Sequence, residues 1–236
     1  EIMQKNVEKM AINDSPNFDL KKRDKNKIKY LIYHYTGMKN DKLAIKKLTS
    51  FNSNVSCHYF ITKSGELIRM VPDLYVAWHA GKSSWKKEKS LNYSSIGIEI
   101  SNPGHEHGYK KFNHDQIKCL IKISKFVIKK YKINKKNILG HSDIAPLRKL
   151  DPGEKFPWKY LAKFGIGKWH SLPKNILVKN RRKKISLIDK KIFFKNLLKI
   201  GYSIGSSKKI KKDKFLNFII IAFQRRFRQE LINSKI

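Results

Sequence analysis

Residues 27–36, KIKYLIYHYT, crowd aromatic and branched side chains into one short run. Such a run suits a buried, pleated surface, and it reads as a strand ending at His34. A buried strand needs neighbours, and the sequence offers three. SCHYFITKSGELIRMVP (56–72) alternates across a Ser-Gly turn, the pattern of a β-hairpin. SSIGIEIS (94–101) is a further strand with Glu99 between two isoleucines, and ILGH (138–141) is a last short one. Helical patterns fall between them at 41–50 and from Asn113, where Gln116 completes a capping-box signature and apolar residues recur at 117, 120, 121, 127, 128 and 131. Strands and helices mix without strict alternation. The fold class expected is α/β, a central mixed β-sheet flanked by helices.

The chain has 236 residues, 40% of them hydrophobic, enough for one good core and a small second unit. Residues 1–27 are polar and read as an N-terminal irregular segment, with the main domain at 28–165. A Gly, Pro and Lys-rich stretch, 166–186, reads as a basic linker, and 187–236 carry helical patterns that read as a small C-terminal helical domain. The apolar run FLNFIIIAF (215–223) is too short to cross a bilayer, so no transmembrane span is expected. No basic, apolar and small-residue pattern of a secretory leader opens the sequence.

The formal charge is +35, from 53 Lys plus Arg against 18 Asp plus Glu, which points to an anionic partner. Only eight of the 53 are Arg, so a Lys-rich compositional bias accounts for the charge equally well. No nucleic-acid motif accompanies it, and no nucleic-acid partner is expected. Cys57 and Cys119 form no CxxC pair, and neither a disulfide framework nor a thiolate zinc site is suggested. Histidines are better placed. His34 and His141 each end a strand, and Asp151 lies in a loop that Pro146 and Pro152 stiffen. His105 and His107 have no third ligand nearby in sequence and read as loop residues.

SPNFDL (15–20), IYHYTG (32–37), CHYFITKSGELIRMVP (57–72), AWHAG (77–81), SIGIEISN (95–102) and GHSDIAPLRKLDPGEKFPW (140–158) occur in fixed order. In that order and spacing, residues 14–165 resemble the zinc-dependent N-acetylmuramoyl-L-alanine amidases of type 2, related in fold to peptidoglycan recognition proteins. The pattern is most similar to the anhydro-muropeptide and cell-wall branch of Gram-negative bacteria. The resemblance implies hydrolysis of the amide between the lactyl group of N-acetylmuramic acid, or its 1,6-anhydro form, and L-alanine. It implies one Zn2+ per chain on His34, His141 and Asp151, with Glu99 and Lys149 catalytic. Trp78 and His79 are then candidates for substrate contact, His58 for a buried structural hydrogen bond, Asp143 for a turn, and Arg148 for a solvated or structural role. A peptidoglycan recognition module that binds without cleaving is the alternative, and the intact residue set favours the enzyme.

LLKIGY (197–202) and IAFQRRFR (221–228) look like short pieces of helical peptidoglycan-binding modules. From this likeness the expected partners are peptidoglycan and muropeptides, and the expected location is the periplasm or outer cell envelope, with the cytoplasm as alternative. A monomer is expected. A chain cut near residue 175 is expected to keep its activity on small muropeptides.

Overall fold

The computed structural model describes residues 10–181, 183, 185–203 and 212–236, so residues 1–9 of the N-terminal segment lie outside the described residues. In chain order the strands and helices are β1 (Ala11–Ile12), β2 (Phe18–Asp19), β3 (Tyr30–Tyr35), α1 (Asp41–Thr49), β4 (Tyr59–Ile61), β5 (Leu67–Arg69) and β6 (Val76–Ala77). Then come β7 (Ser84–Trp85), β8 (Glu88–Lys89), β9 (Ser95–Ile100), α2 (His114–Tyr131), β10 (Ile138–Gly140) and α3 (His141–Ile144). The chain continues through α4 (Trp158–Ala162), α5 (Lys174–Arg181), α6 (Leu187–Ile200) and α7 (Lys212–Phe227).

Six strands form one sheet in the order β1-β5-β4-β9-β3-β10. Only β4 and β5 pair antiparallel, as the 56–72 hairpin; β3, β9 and β10 run parallel at the centre and far edge. Parallel strands are covered on both faces, which explains why β3 is apolar almost throughout rather than alternating. Its odd-numbered Leu31 and Tyr33 join Ile96, Ile98 and Ile100 against α2. Asn113 and Gln116 cap α2 reciprocally, and the helix buries Ile117, Leu120, Ile123, Val127 and Tyr131 at helical spacing. The even-numbered Tyr30 and Ile32 face the other way, into a second cluster.

That second cluster changes the expected domain organisation. Leu197 of α6, Tyr202, and Phe215, Ile219 and Ala222 of α7 pack with Tyr30, Ile32, Trp85, Leu139 and Ile144. The described residues of the 187–236 segment therefore cover one face of the sheet and share its core, where the sequence suggested a separate helical unit. Residues 166–186 are likewise not a plain linker: Ile166 joins the α2-side cluster, Trp169 packs on Phe227, and residues 174–181 are helical. Among the described residues no helix is long and apolar enough to cross a membrane.

The N-terminal segment also departs from the irregular reading. Strand β1 adds a parallel edge to β5. Beyond it, Ser15 Oγ donates to the Leu48 carbonyl, and Asn17 Nδ2 donates to the carbonyls of Ser50 and Val55. Buried Arg23 donates to the carbonyls of Asp73 and Asn92. Side-chain hydrogen bonds, not periodic packing, order this stretch.

Candidate metal centre

The parallel register sets the first pair of functional side chains. His34 of β3 lies opposite Glu99 of β9, on the face shared with Tyr30 and Ile32 but at the strand ends, beyond the C-terminal helices. Strand β10 pairs with β3 and delivers His141 as the first residue of α3. The loop then turns back, held by the Ser142 N–H donating to the Asp151 carbonyl at 2.8 Å. His34, His141 and Asp151 are all buried.

Their donor atoms meet. His34 Nδ1 and His141 Nδ1 are 2.9 Å apart, and Asp151 Oδ2 is 3.0 Å from each. A tetrahedral ion with arms of about 2.0–2.1 Å has edges of about 3.3 Å, close to this triangle. The outer nitrogens are already engaged: His141 Nε2 lies 3.1 Å from the Ala80 carbonyl, which can only accept, and His34 Nε2 lies 2.9 Å from His79 Nδ1. With His141 Nε2 as the N–H, Nδ1 keeps its lone pair facing the carboxylate. Burial, reinforced by the neighbouring His141 and opposed by Asp151, pushes His34 down to about 4, so it is neutral at pH 7. Two imidazole nitrogens and a carboxylate oxygen converging this closely suit a divalent cation of borderline softness. This is the group of three that could hold a metal among the described residues.

Glu99 borders the same cleft, with Oε2 enclosed and without a hydrogen-bond partner among the described residues. Burial first, and then the Asp151 carboxylate, hold its carboxyl well above the usual range, against Lys149 and Lys47. An enclosed acceptor facing a cleft needs a proton or a water. Lys149 lines the cleft too, which has a volume of about 360 Å³. Trp78 forms part of its wall, with Nε1 donating to Asp19 Oδ1 at 2.7 Å.

Two sequence expectations take a different form, and Arg148 takes one of its two expected roles. His79 lines the cleft but is only 7% exposed, and its ring nitrogens contact His34 and Ser95. Asp143 is no simple turn residue. Its carboxylate is buried, accepting from the Gly140 N–H, the Tyr202 hydroxyl at 2.6 Å and Arg226 Nη1 at 2.7 Å. Arg148 is structural rather than solvated, donating to the carbonyls of Lys82 and Ala80. His58 is buried and takes the Gly97 N–H on Nδ1.

Sequence reasoning passed over the opposite wall. Tyr35 and His105 line it, with the Tyr35 hydroxyl 2.9 Å from His105 Nδ1 and His105 Nε2 3.1 Å from Glu154. Arg225 of α7 approaches the same Glu154 at 3.5 Å. The Pro-Gly-His stretch at 103–105 was the only available signal, and it names a loop rather than its partners.

The family of the chain follows from comparison with known proteins. Residues 24–154 match the family described as N-acetylmuramoyl-L-alanine amidase. The chain is 33% identical over 221 residues to the N-acetylmuramoyl-L-alanine amidase AmiD of Escherichia coli, spanning 89% of this chain and 78% of that protein. It is 30% identical to the 1,6-anhydro-N-acetylmuramyl-L-alanine amidase AmpD of Haemophilus influenzae, over 67% of this chain and 96% of that one. The solved complex of E. coli AmiD with anhydro-N-acetylmuramic acid-L-Ala-D-gamma-Glu-L-Lys superposes with a TM-score of 0.76, covering 89% of this chain and 84% of that one. AmpDh3 of Pseudomonas aeruginosa with anhydromuramic pentapeptide gives a TM-score of 0.75 at 27% identity, covering 95% and 92%. By family match, by identity over most of its length, and by fold, the chain belongs to the N-acetylmuramoyl-L-alanine amidases.

Proposed function

We propose that this amidase hydrolyses the bond between the lactyl group of N-acetylmuramic acid, in its intact or 1,6-anhydro form, and L-alanine of the stem peptide. In this reading one zinc ion is held by His34, His141 and Asp151. The observation that carries it is the convergence of those three donor atoms beside an unpartnered Glu99 oxygen in one cleft. The names of the relatives support the substrate class.

The chemistry a zinc ion supplies at such a site is Lewis acidity toward a carbonyl and toward water. The chain's own residues supply the rest. Glu99 Oε2 accepts a proton from the attacking water, and the raised proton affinity of this carboxyl suits it to deliver that proton to the alanine nitrogen as the amide breaks. Lys149 places a positive charge on the cleft wall for the oxygen that gains charge in the transition state. Trp78 offers its indole as a wall for the sugar or the peptide, its N–H being spent on Asp19. A recognition module that binds without cleaving would have no use for a raised, unpartnered carboxyl beside the metal ligands.

We place the protein in the periplasm or outer cell envelope, with the cytoplasm as the alternative, acting as a monomer on peptidoglycan and its fragments. Residues 28–165 carry the catalysis in this reading, while the lysines of α6 and its surroundings attract the carboxylates of the stem peptides. Mass spectrometry of products from purified sacculi and from a soluble anhydro-muropeptide tests the reading. Release of intact stem peptide beginning at L-alanine is expected; cleavage within the peptide, or none with metal supplied, overturns it.

A further inference from the structure

His79 sits behind the metal-binding triangle, and its surroundings fix where its protons lie. The Leu91 carbonyl can only accept, and Ser95 Oγ lies 2.5 Å from it, so the single hydroxyl proton of Ser95 points there. Ser95 Oγ must then accept from its other neighbour, His79 Nε2, at 3.0 Å. His79 therefore carries its proton on Nε2 and presents a bare lone pair at Nδ1. That lone pair lies 2.9 Å from His34 Nε2, which must be the donor. His34 is thereby left with a bare Nδ1, the nitrogen that faces His141 and Asp151.

The ring is also held in place. The N–H groups of His79 and Ala80 both donate to Asn92 Oδ1, at 3.1 and 2.6 Å. The face of the imidazole lies on β9 at Gly97, where an added Cβ would come within 2.4 Å of it. A side chain at position 97 would displace the relay.

We propose that His79 is a positioning residue, whose relay through Ser95 to the Leu91 carbonyl holds His34 in the tautomer that ligates metal. Without the relay His34 has a better use for its proton. It can place it on Nδ1 and donate to Asp151, which occupies a metal donor atom on each residue at once. Partners of metal-ligating histidines typically contribute a factor of about 10–100 to metal affinity. The inference rests on the zinc reading above, but the proton position can be read without metal.

The test uses the full chain stripped of metal. Long-range nitrogen–proton NMR correlation is expected to show the His34 proton on Nε2, moving to Nδ1 in His79→Phe and to a mixture of both in Ser95→Ala. Chelator-competition titration is expected to show zinc affinity falling roughly 10–100-fold in His79→Phe. His79→Asn should stay within about threefold of the parent, since its amide oxygen can accept where Nδ1 did. Thermal unfolding of the metal-free proteins confirms that each variant is folded, and Ser95→Ala serves if His79→Phe is not. A parent with its His34 proton on Nδ1, a folded His79→Phe binding zinc within threefold of the parent, or a Ser95→Ala whose His34 proton stays wholly on Nε2, overturns the proposal. A parent that takes up no zinc removes the zinc reading instead, while the His34 proton position still decides the relay.

Discussion

Cutting the chain after residue 175 is the perturbation that separates a two-unit protein from a single shared core. The cut removes α6 and α7 and exposes the sheet face formed by Tyr30, Ile32, Leu139 and Ile144, together with Trp85, all now at most 4% exposed. On the departing side Leu197, Tyr202, Phe215 and Ile219 lose their burial. Each such side chain contributes about 1.5–3 kcal/mol, so the four together contribute on the order of 10 kcal/mol. Asp143 also loses Arg226 and Tyr202, two hydrogen bonds to a charged group of about 1.5–3 kcal/mol each. The net stability of a whole domain is about 5–15 kcal/mol. The shortened chain should therefore lack a cooperative thermal transition, lose near-ultraviolet circular dichroism and bind a hydrophobic dye. It should not cleave even small muropeptides. A soluble, cooperatively folded shortened chain with full turnover on those substrates would refute this reasoning and restore the separable appendage that the sequence suggested.

Further outcomes follow from the contacts described above. Glu99→Gln should keep metal and fold while losing roughly 10²–10⁴ in kcat, and Lys149→Ala should lose roughly 10²–10³ with KM less affected; near-parent turnover would return either residue to a structural role. Metal analysis of His141→Ala should show the bound zinc lost, and full occupancy would sink the assignment of ligands. Arg226→Met should destabilise by about 3–5 kcal/mol and lower Tm by roughly 6–20 °C, with Asp143→Asn in the same chain recovering part of the loss. Asp73 supplies the pH dependence: burial alone would raise its carboxyl, but bonds from Lys130, Tyr131 and Tyr59 hold it below the ordinary value. Its stabilising contribution is thus full above the unfolded-state pKa and fades as pH falls through the lower folded one. Asp73→Asn should then cost about 1.5–3 kcal/mol near neutrality, and the gap to the parent should close in acid.

What could be read from the sequence was whatever has a period or a local cap. Strand β3, strand β9 and the hairpin carry long enough patterns, and the Asn113–Gln116 box marks the start of α2. The three candidate ligands came from motif order, and the fold brings them together. Strands β1 and β2 are two residues each, which is too short for any alternation to show; they pair with the distant β5 and β6, and Ser15 and Asn17 between them bond to residues 33 to 38 positions away. The same limit hid Asp143, whose cation lies 83 residues further on. His79 was legible as a conspicuous histidine in AWHAG. Its burial was not, because that depends on the absence of a side chain at Gly97, on a different strand.

Helix α3 joins the candidate metal centre to the C-terminal helices. It is only four residues long, so its own backbone bonds cannot fix its direction. Outside forces do so at both ends: His141 is tied to the Ala80 carbonyl and the Asp151 carboxylate, and Asp143, two residues on, is tied to Tyr202 and Arg226. One side of a single helical turn thus faces the triangle of His34, His141 and Asp151 and the other faces the C-terminal helices. A shift of α7 would move Asp143, and through it His141, by way of a buried, charge-assisted contact that tolerates little change in geometry. The C-terminal segment is on this account part of the scaffold that aims His141, the proposed metal ligand. Any wall-binding role for its lysines must be exerted from the outer faces of helices whose inner faces are already committed to the catalytic core.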